Sequence, residues 1–443
     1  MIDPNGECDV RRRWVIAPIV GALAFRMLIP GLALTLGNAP AAFHEPDTKS
    51  YLDLARSLWQ DDSFSRHGEP ELLRTPGYPL FLSLGFWVGN VDALIVSLQI
   101  AIGSLTTVVV YRLAKRIGGF RVGLAAAWCF ALEPLSSLYA CKLLSETLFT
   151  FLLAMSAERF SAYRGNRSIA ALMQSAAVLS VAAYVRPVGY YLPVVMAGLL
   201  FCLPAYGQPS TLRRMARSGA FLVICAALLI PWQVRNSVLA NYQQFSAVST
   251  VNLYFWHAAA VRALENDQDI RNVQVSLGLG NRETYFRLHP EQRGWSPGRR
   301  YRYMRHEAIV EILDSPLTFA WVYVRGVAST LTDPGTSAYT GLFLKEKLKP
   351  AWRKVGVVSF HIACSLAWAG YAILAFVGIL LCVRQRADWT WIVLLVVAAY
   401  FVVLSGGPVG YHRLRHPIMP LVAVYCGVAM PWLARMLRER SAG

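Results

Sequence analysis

Long apolar runs separated by short basic segments dominate the hydrophobic pattern of the chain. The first run, residues 14–36, is long enough to cross about 30 Å of hydrocarbon as an α-helix. Arginines at positions 11–13 precede it, and by the positive-inside rule they place the N-terminus on the inner side. The complete pattern predicts about ten spans, at residues 14–36, 91–113, 122–139, 145–161, 169–184, 188–203, 220–232, 357–383, 389–405 and 417–433.

Two shorter helical patterns follow the first span. Residues 50–59 carry apolar side chains every three to four positions, and residues 78–88 are apolar throughout most of their length. A helix of about ten residues cannot cross a bilayer. We therefore expect both to lie flat at the outer membrane interface.

A polar region of about 120 residues, with helical patterns at 249–264 and 299–313, separates the last three spans from the others. Residues 317–331 allow two interpretations, a span with Arg325 buried inside it or an interfacial helix. The interfacial interpretation is preferred because it places the basic residues after the later spans on the inner side. It leaves the basic group at 345–354 on the outer side. This placement is accepted because long loops follow the positive-inside rule poorly.

These patterns predict an all-α polytopic membrane protein in three parts. Residues 1–232 form an N-terminal transmembrane module with a first outer loop at 37–90. Residues 233–355 form an outer, helical region, and residues 356–443 form the C-terminal transmembrane helices.

Composition agrees with a membrane protein and narrows the partners. With 55% hydrophobic residues, 16% charged residues and a mean hydropathy of +0.40, the chain is too apolar for a soluble globule of this size. The net charge of +17 comes from short clusters between apolar runs, so we expect membrane lipids as partners and no nucleic acid. The spacing of the cysteines and histidines predicts neither a disulfide framework nor a metal site.

The candidate chemistry lies where predicted outer loops meet helix ends. A carboxylate among arginines suits a reaction in which a base takes a proton while cations hold a phosphate leaving group. Arginine fits this task because its fork matches phosphate oxygens and its charge is permanent. A lipid-linked phosphate could place its tail in the bilayer and its head at this boundary. The residues concerned are Asp47, Arg74, Glu146, Arg186, Arg235, Asn236, Arg413 and Arg415.

Each of these residues also has a plainer interpretation. Asp47 could cap the helix that starts near residue 50, and Glu146 could offset a helix dipole. The arginines could be ordinary flanking anchors at the membrane surface. Arg26, inside the first span, requires an internal carboxylate partner, for which Glu133 is the candidate. The acid-x-acid pattern at 267–269 is interpreted as solvated surface.

Several short segments together resemble the GT-C glycosyltransferases. The nearest likeness is to the branch of protein O-mannosyltransferases and lipid A aminoarabinose transferases. The segments are Asp47 with Tyr51-Leu-Asp-Leu-Ala55, Arg74-Thr-Pro-Gly-Tyr-Pro79, Leu144-Ser-Glu146, Arg186-Pro187, Pro231-Trp-Gln-Val-Arg-Asn236 and Tyr411-His-Arg-Leu-Arg-His-Pro417.

The resemblance implies a GT-C-like helical bundle, a polyprenyl-phosphate sugar donor and inversion at the anomeric carbon. Because the sequence shows no set of metal ligands, we expect transfer without a metal ion or cofactor. The resemblance also implies that Asp47 is the general base. It assigns the donor phosphate to Arg74, Arg186, Arg235, Arg413 and Arg415. Acceptor binding or structural support falls to Glu45, Tyr51, Tyr78, Glu146 and Asn236.

Two departures qualify the likeness. Thr48 stands where many relatives have a second acid, and the tail after the last span is short, so we expect the acceptor to bind at residues 233–354. The resulting hypothesis is a glycosyltransferase of the bacterial inner membrane. Its active site would face the periplasm, and its acceptor would be a glycan, lipid or protein of the envelope. A lipid-linked oligosaccharide flippase and a non-catalytic scaffold are the alternatives.

Overall fold

The computed structural model describes residues 4–35, 43–203, 210–280, 282–343, 350–385 and 389–441, and it confirms the predicted all-α class. Residues 36–42 of the first outer loop and most of the basic group after residue 344 lie outside the described residues. The helices are α1 (Pro4–Thr35), α2 (Pro46–Gln60), α3 (Gly77–Val88), α4 (Val91–Ala131), α5 (Pro134–Tyr139), α6 (Glu146–Asn166), α7 (Ile169–Val185), α8 (Leu192–Cys202), α9 (Thr211–Ala240), α10 (Val248–Asn252), α11 (Ala259–Glu265), α12 (Ile270–Ser276), α13 (Arg282–Leu288), α14 (Pro297–Asp314), α15 (Pro316–Thr332), α16 (Thr336–Phe343), α17 (Pro350–Arg384), α18 (Thr390–Leu404), α19 (His412–Arg415) and α20 (Met419–Ser441).

Among the described residues, five helices are long and apolar enough to cross a membrane: Arg13–Thr35, Val91–Ala131, Thr211–Ala240, Val355–Arg384 and His412–Ser441. Shorter apolar helices include α3, α7 and α18. In α9 and α17 only 17% and 22% of the most apolar window is buried in the protein, as expected of helices that face lipid. The protein is therefore a multi-pass membrane protein, and the total of ten spans stays a prediction.

Helix α4 is two antiparallel helices joined by a sharp turn. Gly118 and Gly119 leave helical geometry, and Gly119 takes a φ of +78°, which glycine adopts without steric cost. Beyond the turn Gly123 packs against Tyr111, twelve residues earlier. A straight helix would hold these two residues about 18 Å apart. The turn agrees with the separate spans predicted at 91–113 and 122–139.

The helices that bear the candidate residues pack around one core. The last helix, α20, packs against α4 and α17, so the C-terminal part of the chain joins the N-terminal module. Helix α4 also packs on α1 and α6, and α6 packs on α7. This arrangement brings the start of α6, the end of α7 and the start of α20 to the same end of the bundle.

The first outer loop contains α2, a hairpin and α3. Glu45 is the N-cap of α2: its backbone N–H donates to Thr48 Oγ1 at 2.9 Å, and its carbonyl accepts from the Thr48 N–H at 2.9 Å. Asp47 is therefore not the helix cap, and its carboxylate is available for other contacts. The hairpin pairs β1 (Ser65–Arg66) with β2 (Glu69–Pro70), and α2 then packs on α3.

The outer region is a small helical layer with its own apolar core. Side chains of α11, α12, α13 and α14 and of a π-helical turn at Leu253–Ala258 form this core, which includes Tyr254, Phe255 and Met304. The 17 residues of α15 span about 25 Å, less than the hydrocarbon thickness. Arg325 is exposed at the protein surface in α15, and whether α15 spans the membrane or lies at its interface stays a prediction.

Arg26 is fully buried in α1, but its contacts differ from those expected. Its Nη1 donates to the carbonyls of Ala22 and Ala131 at 3.3 and 3.4 Å, and its guanidinium lies over Phe130. Glu133 instead caps α5 by accepting the Ser136 backbone N–H at 2.6 Å. The Glu133 carboxylate that was predicted to pair with Arg26 thus caps α5, and backbone carbonyl oxygens are the hydrogen-bond acceptors of Arg26.

Candidate active site

Asp47 lies between two arginines from distant parts of the chain. Its Oδ1 accepts from Arg74 Nη2 at 2.6 Å, and its Oδ2 lies 2.8 Å from Arg413 Nη2. Asp47 stands in the first turn of α2, Arg74 just before α3, and Arg413 in α19. The structure therefore joins the first outer loop to the segment before the last span.

Glu146 forms the second anionic centre of the site. It begins α6 and is fully buried. Its Oε1 lies 2.6 Å from Arg186 Nη1 and accepts a hydrogen bond from Arg413 Nε. Arg413 thus bridges Asp47 and Glu146, and three arginines hold two carboxylates in one cluster. We call these five residues, Asp47, Arg74, Glu146, Arg186 and Arg413, the charge cluster.

Tyrosines and backbone contacts fix the arginine of the first loop. The Arg74 guanidinium lies 4.7 Å from the centre of the Tyr51 ring, and its Nη1 donates to the Tyr51 hydroxyl at 3.3 Å. The Glu71 carboxylate accepts the backbone N–H groups of Leu73 and Arg74, at 2.6 and 3.0 Å. Tyr78 packs edge-on against Tyr51. These contacts place the Arg74 guanidinium beside Asp47 in the ligand-free arrangement.

Contacts with the α5–α6 segment attach α2 to the bundle. The Thr48 hydroxyl donates to the Leu143 carbonyl at 3.0 Å, and Lys142 Nζ lies 2.8 Å from a Glu45 oxygen. Sequence reasoning named Glu45 but missed Lys142, whose only signal was a cation at a predicted span boundary. Tyr78 donates from its hydroxyl to Gln99 at 2.8 Å and is fully buried. Glu45 and Tyr78 therefore support the site from outside the charge cluster.

Arg235 and Asn236 lie apart from the charge cluster. Arg235 donates to the carbonyls of Phe64 and Glu71, both at 2.7 Å, and its guanidinium stacks over Trp232. Asn236 donates to the carbonyls of Gln244 and Phe245. Both residues are occupied in holding the hairpin loop and the turn after α9. Neither residue contacts Asp47. Their roles in binding the donor or the acceptor stay predictions.

Arg415 also lies outside the charge cluster, although it is two residues from Arg413. It is 2% exposed, donates to the carbonyls of Thr330 and Asp333, and stacks 3.5 Å from the Trp368 ring centre. Asp333 in turn accepts from the His412 ring at 2.8 Å if Nδ1 is protonated. Arg415 and His412 thus anchor α19, and so Arg413, to the end of α15. Sequence reasoning assigned Arg415 to phosphate and missed this anchoring contact.

Three buried polar atoms of the charge cluster lack a hydrogen-bond partner among the described residues. They are Arg74 Nε, Arg186 Nη1 and Glu146 Oε2. Arg186 Nη1 still lies 2.6 Å from Glu146 Oε1 as an ion pair. Buried polar atoms without a partner are rare in proteins. A donor and an acceptor left free within one cluster mark a place where a polar ligand would complete the bonding.

The arginines also control the protonation of Asp47. Burial acts to raise the pKa of this carboxyl group, but the charges of Arg74 and Arg413 outweigh burial and hold the pKa below its ordinary value of 3.8. Asp47 is therefore ionised at neutral pH. The cluster carries one net positive charge, because three guanidinium groups face two carboxylates.

Comparison with known proteins places the fold. Residues 73–234 match the sequence profile of the dolichyl-phosphate-mannose-protein mannosyltransferase family. The apo oligosaccharyltransferase of Archaeoglobus fulgidus superposes with a TM-score of 0.58 at 13% identity, over 98% of this chain and 51% of that one. The protein has a GT-C fold. The resemblance found in the sequence is confirmed at this level, and the chain spans about half the length of the structure it matches.

Two further structures were solved with lipid carriers. The oligosaccharyltransferase AglB from Archaeoglobus fulgidus, in complex with an inhibitory peptide and a dolichol-phosphate, matches with a TM-score of 0.56 at 13% identity, over 98% of this chain and 51% of that one. ArnT from Cupriavidus metallidurans, bound to undecaprenyl phosphate, has a TM-score of 0.38 at 14% identity, over 92% of this chain and 77% of that one. A comparison with curated protein sequences finds no match.

Proposed function

We propose that this GT-C protein transfers a sugar from a polyprenyl-phosphate donor to an envelope glycan, lipid or protein at the periplasmic face of a bacterial inner membrane. The observation that carries the proposal is the charge cluster, in which Arg413 joins the carboxylates of Asp47 and Glu146. The family profile at residues 73–234 includes Arg74, Glu146 and Arg186, three of the five members.

The chemistry assigned to Asp47 is general base catalysis. An acceptor hydroxyl attacks the anomeric carbon, and Asp47 takes the hydroxyl proton as the new oxygen–carbon bond forms. The bond from the anomeric carbon to the phosphate oxygen breaks, and the polyprenyl phosphate leaves with both electrons. Attack and departure on opposite faces invert the anomeric centre. The arginines stabilise the negative charge that grows on the leaving phosphate.

The charge of the cluster supports a monophosphate donor. A sugar linked through one phosphodiester carries one negative charge, which balances the single net positive charge of the cluster. Arg74 Nε, which has no partner among the described residues, is the donor atom available to it. A phosphate is a stronger hydrogen-bond acceptor for guanidinium than most neutral groups, and its geometry matches the arginine fork.

Donor binding would also activate the base. In the ligand-free arrangement both oxygens of Asp47 face guanidinium groups, which lowers its affinity for a proton. A phosphate that draws Arg74 and Arg413 toward itself weakens these contacts and raises the pKa of Asp47. The base would then gain proton affinity only when the donor is in place.

A cavity between the hairpin and the predicted outer region is the site that we assign to the acceptor. Its volume is about 590 Å³, within the range of ligand sites, and it lies between the hairpin loop and α13–α14. Glu71 lines the cavity and also accepts the Arg74 backbone N–H. The cavity therefore reaches Glu71, whose carboxylate holds the backbone of Arg74, and Arg74 contacts Asp47.

The test is transfer by purified protein in lipid nanodiscs. A polyprenyl-phosphate sugar and an envelope extract are supplied to wild type, Asp47→Asn and the control Asp53→Asn, which changes another carboxylate of α2. We expect transfer by wild type and Asp53→Asn only. Full transfer by Asp47→Asn would overturn the base assignment. Movement of the lipid across the bilayer without transfer would instead support the flippase.

Independence from metal ions is a separate prediction. In the described part of the chain no group of three histidine, cysteine, aspartate or glutamate side chains is placed to hold a metal ion. We expect transfer to continue after EDTA treatment. Loss of transfer that a divalent ion restores would contradict this prediction.

A further inference from the structure

A second cavity, of about 470 Å³, lies away from the charge cluster between α11, α12, α15 and the loop before α19. One wall consists of backbone: Gly326 of α15 approaches Gly407 and Gly410 so closely that a Cβ atom on it would overlap the Gly407 carbonyl. Trp321, Arg325 and Asp269 are at the other walls. The mechanism proposed above uses none of these residues.

The cavity opens beside an apolar face of α15. Leu317, Trp321, Val324 and Leu331 recur at helical spacing and are 85%, 62%, 61% and 41% exposed. We expect acyl chains of the bilayer to cover an apolar face of this length. Trp321 belongs both to this face and to the cavity wall. Tryptophan is enriched at membrane–water interfaces, so its position agrees with a cavity at the membrane surface.

The cavity contains two charges of opposite sign. Arg325 makes no hydrogen bond or ion pair with any residue that the structure describes, although it lines the cavity. Asp269 uses Oδ1 to accept the Arg271 backbone N–H at 2.7 Å, and no described donor bonds to its Oδ2. Among the residues that the structure describes, no other lysine, arginine, aspartate or glutamate lines the cavity. A cation and a carboxylate thus lie next to the apolar face of α15.

We propose that this cavity binds the head group of a zwitterionic phospholipid. The lipid phosphate contacts Arg325, the positively charged amine contacts Asp269, and the acyl chains lie along the apolar face of α15. A purely anionic head group would satisfy Arg325 but would leave its negative charge near Asp269. The pair of charges therefore selects a head group that carries both signs.

Lipid at this position would support α19, which carries Arg413, and the loop before it. Gly407 of the loop donates its backbone N–H to the Tyr323 carbonyl of α15 at 3.3 Å, and Arg415 of α19 donates to the Thr330 carbonyl of α15 at 2.7 Å. α15 is thus bound once to the loop and once to α19. A lipid that fixes α15 fixes the approach to Arg413 as well.

The test is lipid retention by the full-length protein, measured by native mass spectrometry. Delipidated protein is titrated with phosphatidylethanolamine, phosphatidylcholine or phosphatidylglycerol that have the same acyl chains. We expect one tightly held phosphatidylethanolamine or phosphatidylcholine, with phosphatidylglycerol at least tenfold weaker. Loss of a charge-assisted hydrogen bond should make Arg325→Gln and Asp269→Asn about tenfold weaker for the zwitterionic lipids.

Matched controls change charges that do not line the cavity. Asp267→Asn, two residues from Asp269, and Arg305→Gln, an exposed arginine of α14, should retain lipid as wild type does. Equal retention of phosphatidylglycerol, or unchanged retention by Asp269→Asn, would overturn the zwitterionic selectivity. Absence of any retained lipid would overturn the site. Because the readout is binding, failure here leaves the proposed transfer reaction untouched.

Discussion

The burial of Glu146 makes a quantitative prediction about the charge cluster. Glu146 is 0% exposed and faces Arg186 and Arg413, whose side chains are 18% and 15% exposed. Glu146→Gln keeps the volume and removes the charge, so both guanidinium groups lose their shared partner. Removing one member of a buried ion pair costs about 3–5 kcal/mol, because the remaining charge stays buried without compensation.

The structure favours the lower end of this range. Arg413 keeps its contact with Asp47, and both arginines retain some exposure to water. We therefore expect the free energy of unfolding to fall by about 3 kcal/mol, which is about a hundredfold change in the folding equilibrium. An exposed ion pair would contribute about 0–1 kcal/mol. The losses expected for a buried and for an exposed ion pair therefore differ enough for an unfolding measurement to distinguish them.

The assay is reversible unfolding in mixed micelles of a mild and a denaturing detergent, followed by tryptophan fluorescence. Glu439→Gln changes an exposed carboxylate near the end of α20 and should alter the unfolding free energy by no more than about 0.5 kcal/mol. Adding Arg186→Gln to Glu146→Gln removes one of the uncompensated charges. The double variant should therefore lose less than the sum of the single losses.

Two results would refute the reasoning. One is a loss below about 1 kcal/mol for Glu146→Gln, which would match an exposed pair. The other is strict additivity in the double variant, which would mean that Glu146 and Arg186 do not interact.

The remaining predictions concern the base, its titration and an arginine outside the cluster. Asp47→Asn should lower kcat by about 10²–10⁴-fold, measured as initial transfer rate against Asp53→Asn. Because donor binding draws the arginines from Asp47, the acidic limb of kcat should lie at higher pH than that of kcat/KM, and coincident limbs would contradict this. The pKa of Asp47 is depressed by folding, so its stabilisation is present above about pH 3.8 and is lost as pH falls through the folded value, which acid titration of unfolding checks. Arg235→Gln should lower the melting temperature but leave the KM for donor unchanged, since its contacts are backbone carbonyls; a large rise in KM would restore its predicted phosphate role.

The helices were predictable from the sequence because lipid imposes one simple rule on them. A long apolar run must satisfy its backbone hydrogen bonds internally, and a helix does so. The patterns at residues 299–313 and 317–331 likewise became α14 and α15. The division of α4 also followed from the basic residues between its two apolar runs. The turn at Gly118 and Gly119 was not predicted.

The contacts of the site were only partly predictable. Position at a helix end identified Asp47, Arg74, Glu146, Arg186 and Arg413, since these ends share one side of the bundle. Position alone did not separate them from Arg235 and Arg415, because which carbonyl oxygens a guanidinium meets depends on packing between distant segments. The charge of Arg26 alone also led to the prediction of a carboxylate partner, whereas in the structure its hydrogen-bond acceptors are backbone carbonyl groups.

The contact of α15 with the loop before α19 has a consequence for variation in this protein. Gly326, Gly407 and Gly410 carry no chemistry, yet the space where their side chains would be is filled by the opposite backbone. A single added methyl group at Gly326 would push the two segments apart and carry Arg413 away from Asp47 and Glu146. Gly326→Ala should therefore impair the proposed transfer by displacing Arg413, although Gly326 takes no part in the chemistry.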